Sequence, residues 1–384
     1  MTSPSLLKTG EAGKVPAKAL CCRSIERSRF MAETMKAIVY EGPGEMIVED
    51  VEKPVAGPDD LVIKTKYTSI CGGELHTYRC GYGQVPGRIL GHEYVGYADQ
   101  VGENVEGIEV GDRVWGMEVG ICGECWYCQN GDYAHCSSIL DHVTGNGVPG
   151  GYGQYLRIRN AKLGENVHKV PMDIPEVHAT LIEPFGVGAD EVAGNVQPGD
   201  KVVVIGCGMI GNAIIQFAKL AGAESITAVD VSEPRLEIAL QCGADHTINS
   251  AKEDVLEAIQ KIYGPNRWFY GESGRCDVAF ETAGIGDTLK NAIDCVKAGG
   301  KVVLVAPSER DVSINLAPVI NKQPEFVIPV SGSHIKDVIE AMEKGQLVVD
   351  PLITDILPYT KAAEAFEMQA NPEKGMKTLI QMDA

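Results

Sequence analysis

The sequence predicts a two-part α/β protein in which an irregular, mostly antiparallel β domain precedes a doubly wound parallel sheet. At 384 residues, the chain is too long for one ordinary core, so two domains are expected. Before about residue 183, short β-type runs alternate with Gly and Pro, as at 36–40, 42–44, 57–58 and 61–65. After about residue 201, apolar runs alternate with helical periodicity, which is typical of parallel strands joined by helices.

The second part opens with a β-α-β unit. The apolar run Lys201–Ile205 is followed at once by a glycine-rich loop, and apolar residues from Ile210 to Ala221 then recur at helical spacing. Gly222 is predicted to end this helix, and the next strand ends at Asp230. A strand, a loop, a helix and a strand in this order are typical of a parallel sheet.

The alternation continues to about residue 330, with strands expected at Asp277–Phe280 and Lys301–Val305. The segment 331–384 has helical patterns near Ile335–Lys344 and Thr360–Gln369, and a last strand at Lys377–Gln381. Residues 1–34 lack sustained periodicity and contain three glutamates. A disordered extension, natural or artificial, is therefore favoured over a transit peptide, which would be poor in acidic residues.

Composition excludes several classes of partner. The net charge of −19 is the opposite of the basic footprint that nucleic-acid binding needs, and it suits a soluble cytoplasmic protein. No apolar run approaches the roughly 20 residues of a membrane span. The twelve cysteines are too sparse for a disulfide scaffold, and four of them cluster, which indicates a metal site in a reducing compartment.

The glycine-rich loop predicts dinucleotide binding, because it lies between a strand and a helix. Gly206 permits the tight turn, Gly208 lets the backbone approach a pyrophosphate, and Gly211 lets the helix pack close to the strand. Met209 and Ile210 complete the loop at the helix N-terminus, which faces the anion. The competing interpretation is an ordinary Gly-rich turn.

Asp230 lies nineteen positions after Gly211, at the end of the second strand. A carboxylate there accepts hydrogen bonds from the ribose hydroxyls and repels a 2′-phosphate, so NAD is preferred over NADP. Arg235 is either an adenine contact that partly opposes this preference or a solvated helix residue.

Cys122, Cys125, Cys128 and Cys136 follow a C-x2-C-x2-C-x7-C pattern. Four thiolates with no open position are typical of a closed, structural zinc site. The alternative is a set of scattered buried cysteines, and His135 is predicted to be a bystander.

Two shorter segments, Ile70–Gly72 and Gly91–Glu93, are weak signals by themselves, since a lone Cys or His more often packs in a core. Their order with the four-cysteine cluster, Glu183-Pro184 and the glycine loop resembles the zinc-dependent medium-chain alcohol and polyol dehydrogenases, in the branch of sorbitol, threonine and butanediol dehydrogenases. The resemblance covers about 350 residues, essentially everything after Met35.

The resemblance implies a GroES-like β domain and a Rossmann domain, with the active site in the cleft between them. Residues 35–186 would form the catalytic domain with both zinc sites, residues 187–330 the NAD-binding domain, and residues 331–384 a return segment completing the catalytic domain. It also implies a homodimer or a homotetramer.

By the same resemblance, Cys71, His92 and Glu183 hold a catalytic zinc with a fourth position left for water or substrate. Glu93 is either an exchangeable fourth ligand or a support for the others. Zinc would bind an alcohol and lower its pKa, and hydride would pass to NAD. A glutamate before proline points to polyols, sugars or vicinal diols.

The chain departs from the family pattern Cys-Gly-Ser/Thr-Asp, because it has Cys71-Gly72-Gly73-Glu74. Glu74 can orient the zinc-ligating histidine, but Gly73 lacks the hydroxyl that would carry the proton away. His76 matches the relay histidine of the family, so water or the nicotinamide ribose is expected to bridge the gap.

Four other functions stay open at this point: a threonine-type 3-hydroxy amino acid dehydrogenase, a zinc-free reductase, a catalytically weakened NAD-binding sensor and a zinc-ribbon nucleic-acid binder. The metal ligands disfavour the zinc-free reductase, and the acidic charge disfavours the nucleic-acid binder. Residues that would line a substrate pocket, or equally pack in a core, are Thr68, Tyr94, Trp115, His142 and Tyr152.

Overall fold

The computed structural model describes residues 33–269, 271–308, 311–329, 334–371 and 375–384. The prediction of a disordered extension over residues 1–34 lies outside the described residues except for Glu33 and Thr34, and Thr34 is the first residue of a strand. Within the described ranges, no helix has the length and apolar character that crossing a membrane requires.

The described strands are β1 (Thr34–Gly42), β2 (Glu45–Glu52), β3 (Leu61–Ser69), β4 (Tyr94–Val101), β5 (Arg113–Gly116), β6 (Tyr155–Ile158), β7 (Val167–Lys169), β8 (Lys201–Ile205), β9 (Ser225–Asp230), β10 (His246–Asn249), β11 (Asn266–Trp268), β12 (Gly271–Ser273), β13 (Cys276–Glu281), β14 (Val296–Leu304), β15 (Glu325–Val327), β16 (Ile353–Pro358) and β17 (Lys377–Gln381). The described helices are α1 (Gly72–Cys80), α2 (Trp126–Gln129), α3 (Glu176–Ala179), α4 (Ile182–Val192), α5 (Met209–Leu220), α6 (Glu233–Gln241), α7 (Val255–Tyr263), α8 (Gly286–Cys295), α9 (Leu316–Lys322), α10 (Ile335–Glu343) and α11 (Ala362–Gln369). Short 3₁₀ helices cover Tyr133–His135, Ile139–His142, Asp350–Leu352 and Tyr359–Lys361.

A mostly antiparallel sheet of seven strands, counted over the described chain, has the order β16-β17-β3-β4-β5-β7, with β6 also paired to β3. Only β16 and β17 run parallel to each other. Strands from 353–381 therefore share a sheet with strands from 61–169. β1 and β2 form a separate antiparallel hairpin beside this sheet.

A second sheet contains six described strands, all parallel, in the order β10-β9-β8-β13-β14-β15. Val202, Val203 and Val204 are fully buried, which explains why β8 has a continuous apolar run rather than an alternating one. The strand order changes direction between β8 and β13. Ligands of open parallel sheets bind in the crevice at such a switch point.

The loop and helix predicted at the start of this sheet are confirmed, and so is the last strand of the antiparallel sheet. The glycine loop joins β8 to α5, and α5 ends before Gly222, whose φ of +86° is the left-handed conformation that favours glycine. The strand predicted at Lys377–Gln381 is β17, with those bounds. The helix predicted from Thr360 starts instead as a 3₁₀ turn and becomes α11 at Ala362.

The largest apolar cluster extends from one sheet to the other through α4. It includes Trp115 on β5 and Leu379 on β17 as well as Val204 on β8, and it surrounds the buried side chain of Phe185 on α4. Glu183 lies in the first turn of α4. The packing of α4 therefore sets the position of Glu183 between the two sheets.

Candidate active site and metal centres

The four-cysteine cluster closes around a single point. The sulfur atoms of Cys122, Cys125, Cys128 and Cys136 all lie within 4.8 Å of one another, and all four thiols are free. The Sγ atom of Cys122 is 3.6 Å from that of Cys136 and 4.0 Å from that of Cys128. A tetrahedral zinc with Zn–S bonds near 2.3 Å places its sulfurs about 3.8 Å apart. The residues present thus fit a closed zinc site.

Backbone amides favour the thiolate form of this cluster. The N–H of Cys128 points at the sulfur of Cys125 over 3.5 Å, and together with the N–H of Ser137 it lowers the pKa of the Cys125 thiol to about 6. His135 does not join the cluster, since its Nδ1 atom contacts Asp132 at 2.7 Å on the surface. The amides therefore favour the thiolates of Cys125 and Cys136, whereas burial raises the pKa of the Cys128 thiol to about 12.

A second, open set of ligand atoms lies where two central strands of the antiparallel sheet meet, at the end of β3 and the start of β4. Cys71 is the N-cap of α1 just after β3, whereas His92 and Glu93 immediately precede β4. Because β3 and β4 are antiparallel neighbours, the end of one meets the start of the other. One ligand atom each from Cys71, His92 and Glu93 lie within 4.8 Å of one another.

The buried carboxylate of Glu74 organises this set. Its Oε2 atom accepts hydrogen bonds from the Cys71 N–H at 3.0 Å and the Tyr152 hydroxyl at 2.6 Å, and its Oε1 atom accepts one from the Gly91 N–H at 2.8 Å. Oε1 also lies 3.2 Å from Nδ1 of His92. This contact leaves the other ring nitrogen of His92 available to a metal, which is compatible with the orienting task predicted for Glu74.

In this cluster, the neighbouring charges and hydrogen bonds shift the pKa values in the direction opposite to burial. Burial lowers the pKa of His92, but the negative charges of Glu74 and Cys71 outweigh it and raise that pKa well above its usual value. Burial raises the pKa of Glu74, and the contacts with His92, Tyr152 and the Cys71 amide together lower it below its usual value. Glu74 is therefore held as an anion next to the imidazole.

Glu93 is tied to a distant part of the chain. Its Oε2 atom accepts hydrogen bonds from the Ser69 hydroxyl and from Nζ of Lys377, and the Glu93 and Lys377 side chains are only 2% and 3% exposed. Lys377 also donates to the carbonyl of Ile70 at 2.9 Å. One face of the Glu93 carboxylate is thus engaged by a buried cation.

Glu183 is half-buried and does not belong to the close group of Cys71, His92 and Glu93. Burial raises the pKa of its carboxyl to about 7, an effect that His92 opposes and Glu93 reinforces, so its charge interacts with both. Glu183 lines a cavity of about 470 Å³ together with apolar side chains that include Trp115 and Ile335. A small organic molecule fits this volume.

Gly73 and His76 lie on α1, immediately after Cys71. A Cβ atom added to Gly73 would meet no heavy atom within 4 Å, so there is open space beside this position. The imidazole of His76 is half-buried, with Nδ1 3.2 Å from the sulfur of Cys80 and its ring 4.9 Å from that of Tyr82. His76 is thus outside the close ligand group.

Of the other residues predicted to line a substrate pocket, some line a cavity and the rest are packed in the interior. Trp115 lines the cavity of Glu183, whereas His142 lines a different cavity. Thr68, Tyr94 and Tyr152 are fully buried, and their hydroxyls donate to the Glu93 carbonyl, the Gly116 carbonyl and Glu74.

The glycine loop has the close approaches that the motif predicts. Gly206 has a φ of +101°, and a Cβ atom on Gly211 would lie 1.9 Å from the Gly206 carbonyl oxygen. A Cβ atom on Gly208 would instead meet nothing within 4 Å, so that side of the loop is open. The N-terminus of α5, at Met209 and Ile210, faces the same region.

Asp230 fixes the loop to the end of β9. Its Oδ2 atom accepts the Cys207 N–H at 2.7 Å and its Oδ1 atom accepts the Ser232 N–H at 2.9 Å. Arg235 on α6 donates from Nη2 to the Gly375 carbonyl at 3.4 Å, while its buried Nε has no partner among the described atoms. Asp230 at the end of β9 and Arg235 on the following helix thus lie next to the glycine loop or just after it in the chain.

Sequence reasoning missed Ser69, Lys377 and the Glu118–Arg159 pair on the cavity wall. Lys377 could have been noticed from the sequence, because it is the only charged residue of the predicted strand Lys377–Gln381. Glu118 and Arg159 left none, since they are 41 positions apart in irregular segments.

A parallel sheet with an open glycine loop at its switch point, next to a β domain with one closed and one open set of metal ligands, defines a metal-dependent dehydrogenase that uses a nicotinamide dinucleotide. Two family models bear this out. The alcohol dehydrogenase GroES-like domain matches residues 57–172, and the zinc-binding dehydrogenase domain matches residues 210–345. The chain belongs to the zinc-type medium-chain dehydrogenases, and its cofactors are zinc and NAD(P).

Similar proteins align along nearly their whole length. L-Threonine 3-dehydrogenase of Pyrococcus furiosus is 33% identical over 90% of this chain and 98% of its own. Sorbitol dehydrogenase of Bacillus subtilis is 32% identical over 87% and 93%. The crystal structure of the Escherichia coli alcohol dehydrogenase rspB with NADH superposes with a TM-score of 0.79 and 26% identity, over 91% of this chain and 99% of that one.

Proposed function

We propose that this protein transfers a hydride between NAD and a secondary alcohol of a polyol, sugar or vicinal diol, and so interconverts the alcohol and the ketone. The observation that carries the proposal is the open ligand set of Cys71, His92 and Glu93, which has Glu183 and a cavity of about 470 Å³ nearby. An open metal site with room for a small molecule suits the polarisation of a hydroxyl.

Cys71, His92 and Glu183 are the proposed permanent ligands of the catalytic zinc. Glu93 is closer to the other two ligands, but Ser69 and Lys377 occupy one of its oxygens, which supports a role as an exchangeable ligand. When bound, zinc supplies a Lewis acid that stabilises developing negative charge on the substrate oxygen. Glu183→Gln is expected to lower zinc retention more than Glu93→Gln, as measured by chelator competition.

The chain's own residues supply orientation and a proton path. Glu74 fixes the tautomer of His92, and the buried pair of Glu93 and Lys377 shapes the wall of the site. The open space beside Gly73 can hold a water molecule that connects the substrate hydroxyl to His76. His76 would then accept the proton as the hydride leaves.

NAD is the proposed redox partner, with Gly206, Gly208 and Gly211 against its pyrophosphate and Asp230 on its ribose. The open side of Gly208 and the carboxylate of Asp230 at the end of β9 support this assignment. Arg235 is proposed as an adenine contact, since its Nε has no partner among the described residues.

A panel of polyols, sugars, simple alcohols and 3-hydroxy acids, assayed for NADH formation, tests the function. The strongest second candidate is a threonine-type 3-hydroxy amino acid dehydrogenase, favoured by the similarity to L-threonine 3-dehydrogenases. Turnover of L-threonine but of no polyol would select that candidate. Absence of turnover with every alcohol, in protein that holds two zinc ions and binds NAD, would select the NAD-binding sensor.

We further propose a cytoplasmic homodimer or homotetramer. The described cysteines are all free thiols, which is expected in a reducing compartment. Exposed apolar residues, Phe326 on the edge strand β15 and Ile328 just after it, support association of copies. Light scattering of the purified protein would measure the oligomeric state.

A further inference from the structure

A carboxylate and a guanidinium are paired on the wall of the cavity that Glu183 lines. Glu118 follows β5 and Arg159 follows β6, and both residues line this cavity. Nε of Arg159 donates to Oε2 of Glu118 at 3.0 Å, and Nη2 donates to Oε1. The two groups therefore form a bidentate pair with fixed geometry.

The backbone holds Glu118 in place. Its N–H donates to the Thr144 hydroxyl at 2.9 Å, and its carbonyl accepts the Thr144 N–H at 3.0 Å. Thr144 is fully buried, and the Glu118 side chain is only 11% exposed. The N–H of Arg159 also donates to Oε2 of Glu118 at 3.2 Å. Glu118 is thus a rigid anchor for the guanidinium.

Arg159 faces solvent with part of its donor capacity unused. Its side chain is 45% exposed, and the contacts with Glu118 are the only side-chain hydrogen bonds it makes to the described part of the chain. A guanidinium has five N–H groups, so its outer edge remains available to oxygen atoms of a ligand. Because Glu118 already fixes the guanidinium, little additional ordering is needed on binding.

The charge of the cavity selects among such ligands. Its charged lining residues are the carboxylates Glu118, Glu165 and Glu183 and the guanidinium of Arg159. Glu183 is committed to the proposed zinc, so Glu118 and Glu165 are left with Arg159, and two carboxylates against one cation disfavour a substrate that brings its own carboxylate. A neutral hydroxyl group can accept from Arg159 and donate to Glu118, so both members of the pair are satisfied.

We propose that Arg159, positioned by Glu118, binds the hydroxyl groups of the substrate that are remote from the reacting carbon. This inference rests on the proposed function and narrows it. The site takes a neutral polyol in preference to a hydroxy acid, and Arg159 distinguishes a polyol from a simple secondary alcohol.

The test compares three substrates and three variants of the full-length, zinc-loaded protein. The substrates are whichever of sorbitol and xylitol is oxidised faster, 2-butanol, which lacks a remote hydroxyl, and L-threonine, which carries a carboxylate. The variants are Arg159→Met, Glu118→Gln and the control Arg157→Met, an arginine of similar exposure that does not line this cavity.

In Arg159→Met, kcat/KM for the polyol should fall about tenfold to a hundredfold more than for 2-butanol, mainly through KM, since hydrogen bonds from a charged donor are lost. Glu118→Gln should narrow the preference for the polyol over L-threonine about tenfold, because one repelling charge is removed. Arg157→Met should match the wild type. The dissociation constant of the polyol from the enzyme–NADH complex, followed by nicotinamide fluorescence, should rise most in Arg159→Met, less in Glu118→Gln, and not in Arg157→Met.

Equal losses for the polyol and 2-butanol would overturn the inference and leave the proposed function standing. A larger loss for L-threonine than for the polyol in Arg159→Met would also overturn it, because Arg159 would then bind a carboxylate. Wild-type protein that oxidises no alcohol would refute the proposed function itself, and the inference with it.

Discussion

Glu74→Gln tests how the open metal site is held together. The carboxylate has four contacts: the N–H groups of Cys71 and Gly91, the hydroxyl of Tyr152 and the Nδ1 atom of His92. Glutamine keeps one acceptor oxygen. With that oxygen turned toward Gly91 and His92, the hydroxyl of Tyr152 can rotate to accept from the new amide, but the Cys71 N–H loses its partner.

The expected cost is therefore one partly buried hydrogen bond, from the Cys71 N–H to the side chain, and one negative charge beside His92. Loss of a partner that orients a metal ligand typically weakens metal affinity about tenfold to a hundredfold. At about 1.4 kcal/mol per factor of ten, this is about 1.4–2.8 kcal/mol, a range that one lost hydrogen bond to a charged group can account for. Tyr152→Phe removes only the hydroxyl and should cost less.

Chelator competition with the purified protein measures this loss, because the two zinc ions differ in affinity. Only the ion of the open site should leave more readily in Glu74→Gln, while the four-cysteine site keeps its zinc. Circular dichroism controls for folding, since Glu74 also caps α1 through the Cys71 N–H. The reasoning would be refuted if Glu74→Gln retained both zinc ions as well as the wild type does, or if Tyr152→Phe lost as much zinc affinity as Glu74→Gln.

Cys71→Ala should abolish turnover in a folded protein, whereas Cys125→Ala should mainly lower thermal stability, because structural zinc contributes folding energy. Metal analysis that finds fewer than two zinc ions per active chain would contradict both of these predictions. Asp230→Ser should narrow the preference for NAD over NADP in kcat/KM. A wild type that uses NADP as well as NAD would show that Asp230 does not select NAD. His76→Ala should lower kcat about a hundredfold to ten-thousandfold at low pH and less at high pH, where hydroxide takes the proton. Gly73→Ser should leave kcat unchanged or higher, since the position has room for a side chain, and pH profiles of both variants that match the wild type would place the proton path elsewhere.

Local patterns were sufficient wherever the physical cause is local. The turn at Gly206 and the strand ending at Asp230 belong to one continuous β-α-β segment, so spacing alone predicts them. The four clustered cysteines lie within fifteen residues for the same reason. Residues that share a site but lie far apart in the sequence, such as Cys71 and His92, were grouped by the family resemblance and not by a local pattern.

The ion pair of Glu93 and Lys377 shows where sequence reasoning ends. The two residues are 284 positions apart, and they meet only because β17 pairs with β3, which pairs with β4. Periodicity predicts that β17 is a strand, but it does not predict which strand is its neighbour. The partner of a buried charge is therefore fixed by sheet order, which no local pattern specifies.

The late position of Lys377 has a consequence for synthesis on the ribosome. At about 5–20 residues per second, roughly 15–60 s separate the synthesis of Glu93 from that of Lys377. During that interval the carboxylate of Glu93 lacks its cation, and burying an unpaired charge is costly. The first β domain cannot close its metal site as it emerges. The carboxylate of Glu93 must stay hydrated until β17 has been synthesised and pairs with β3.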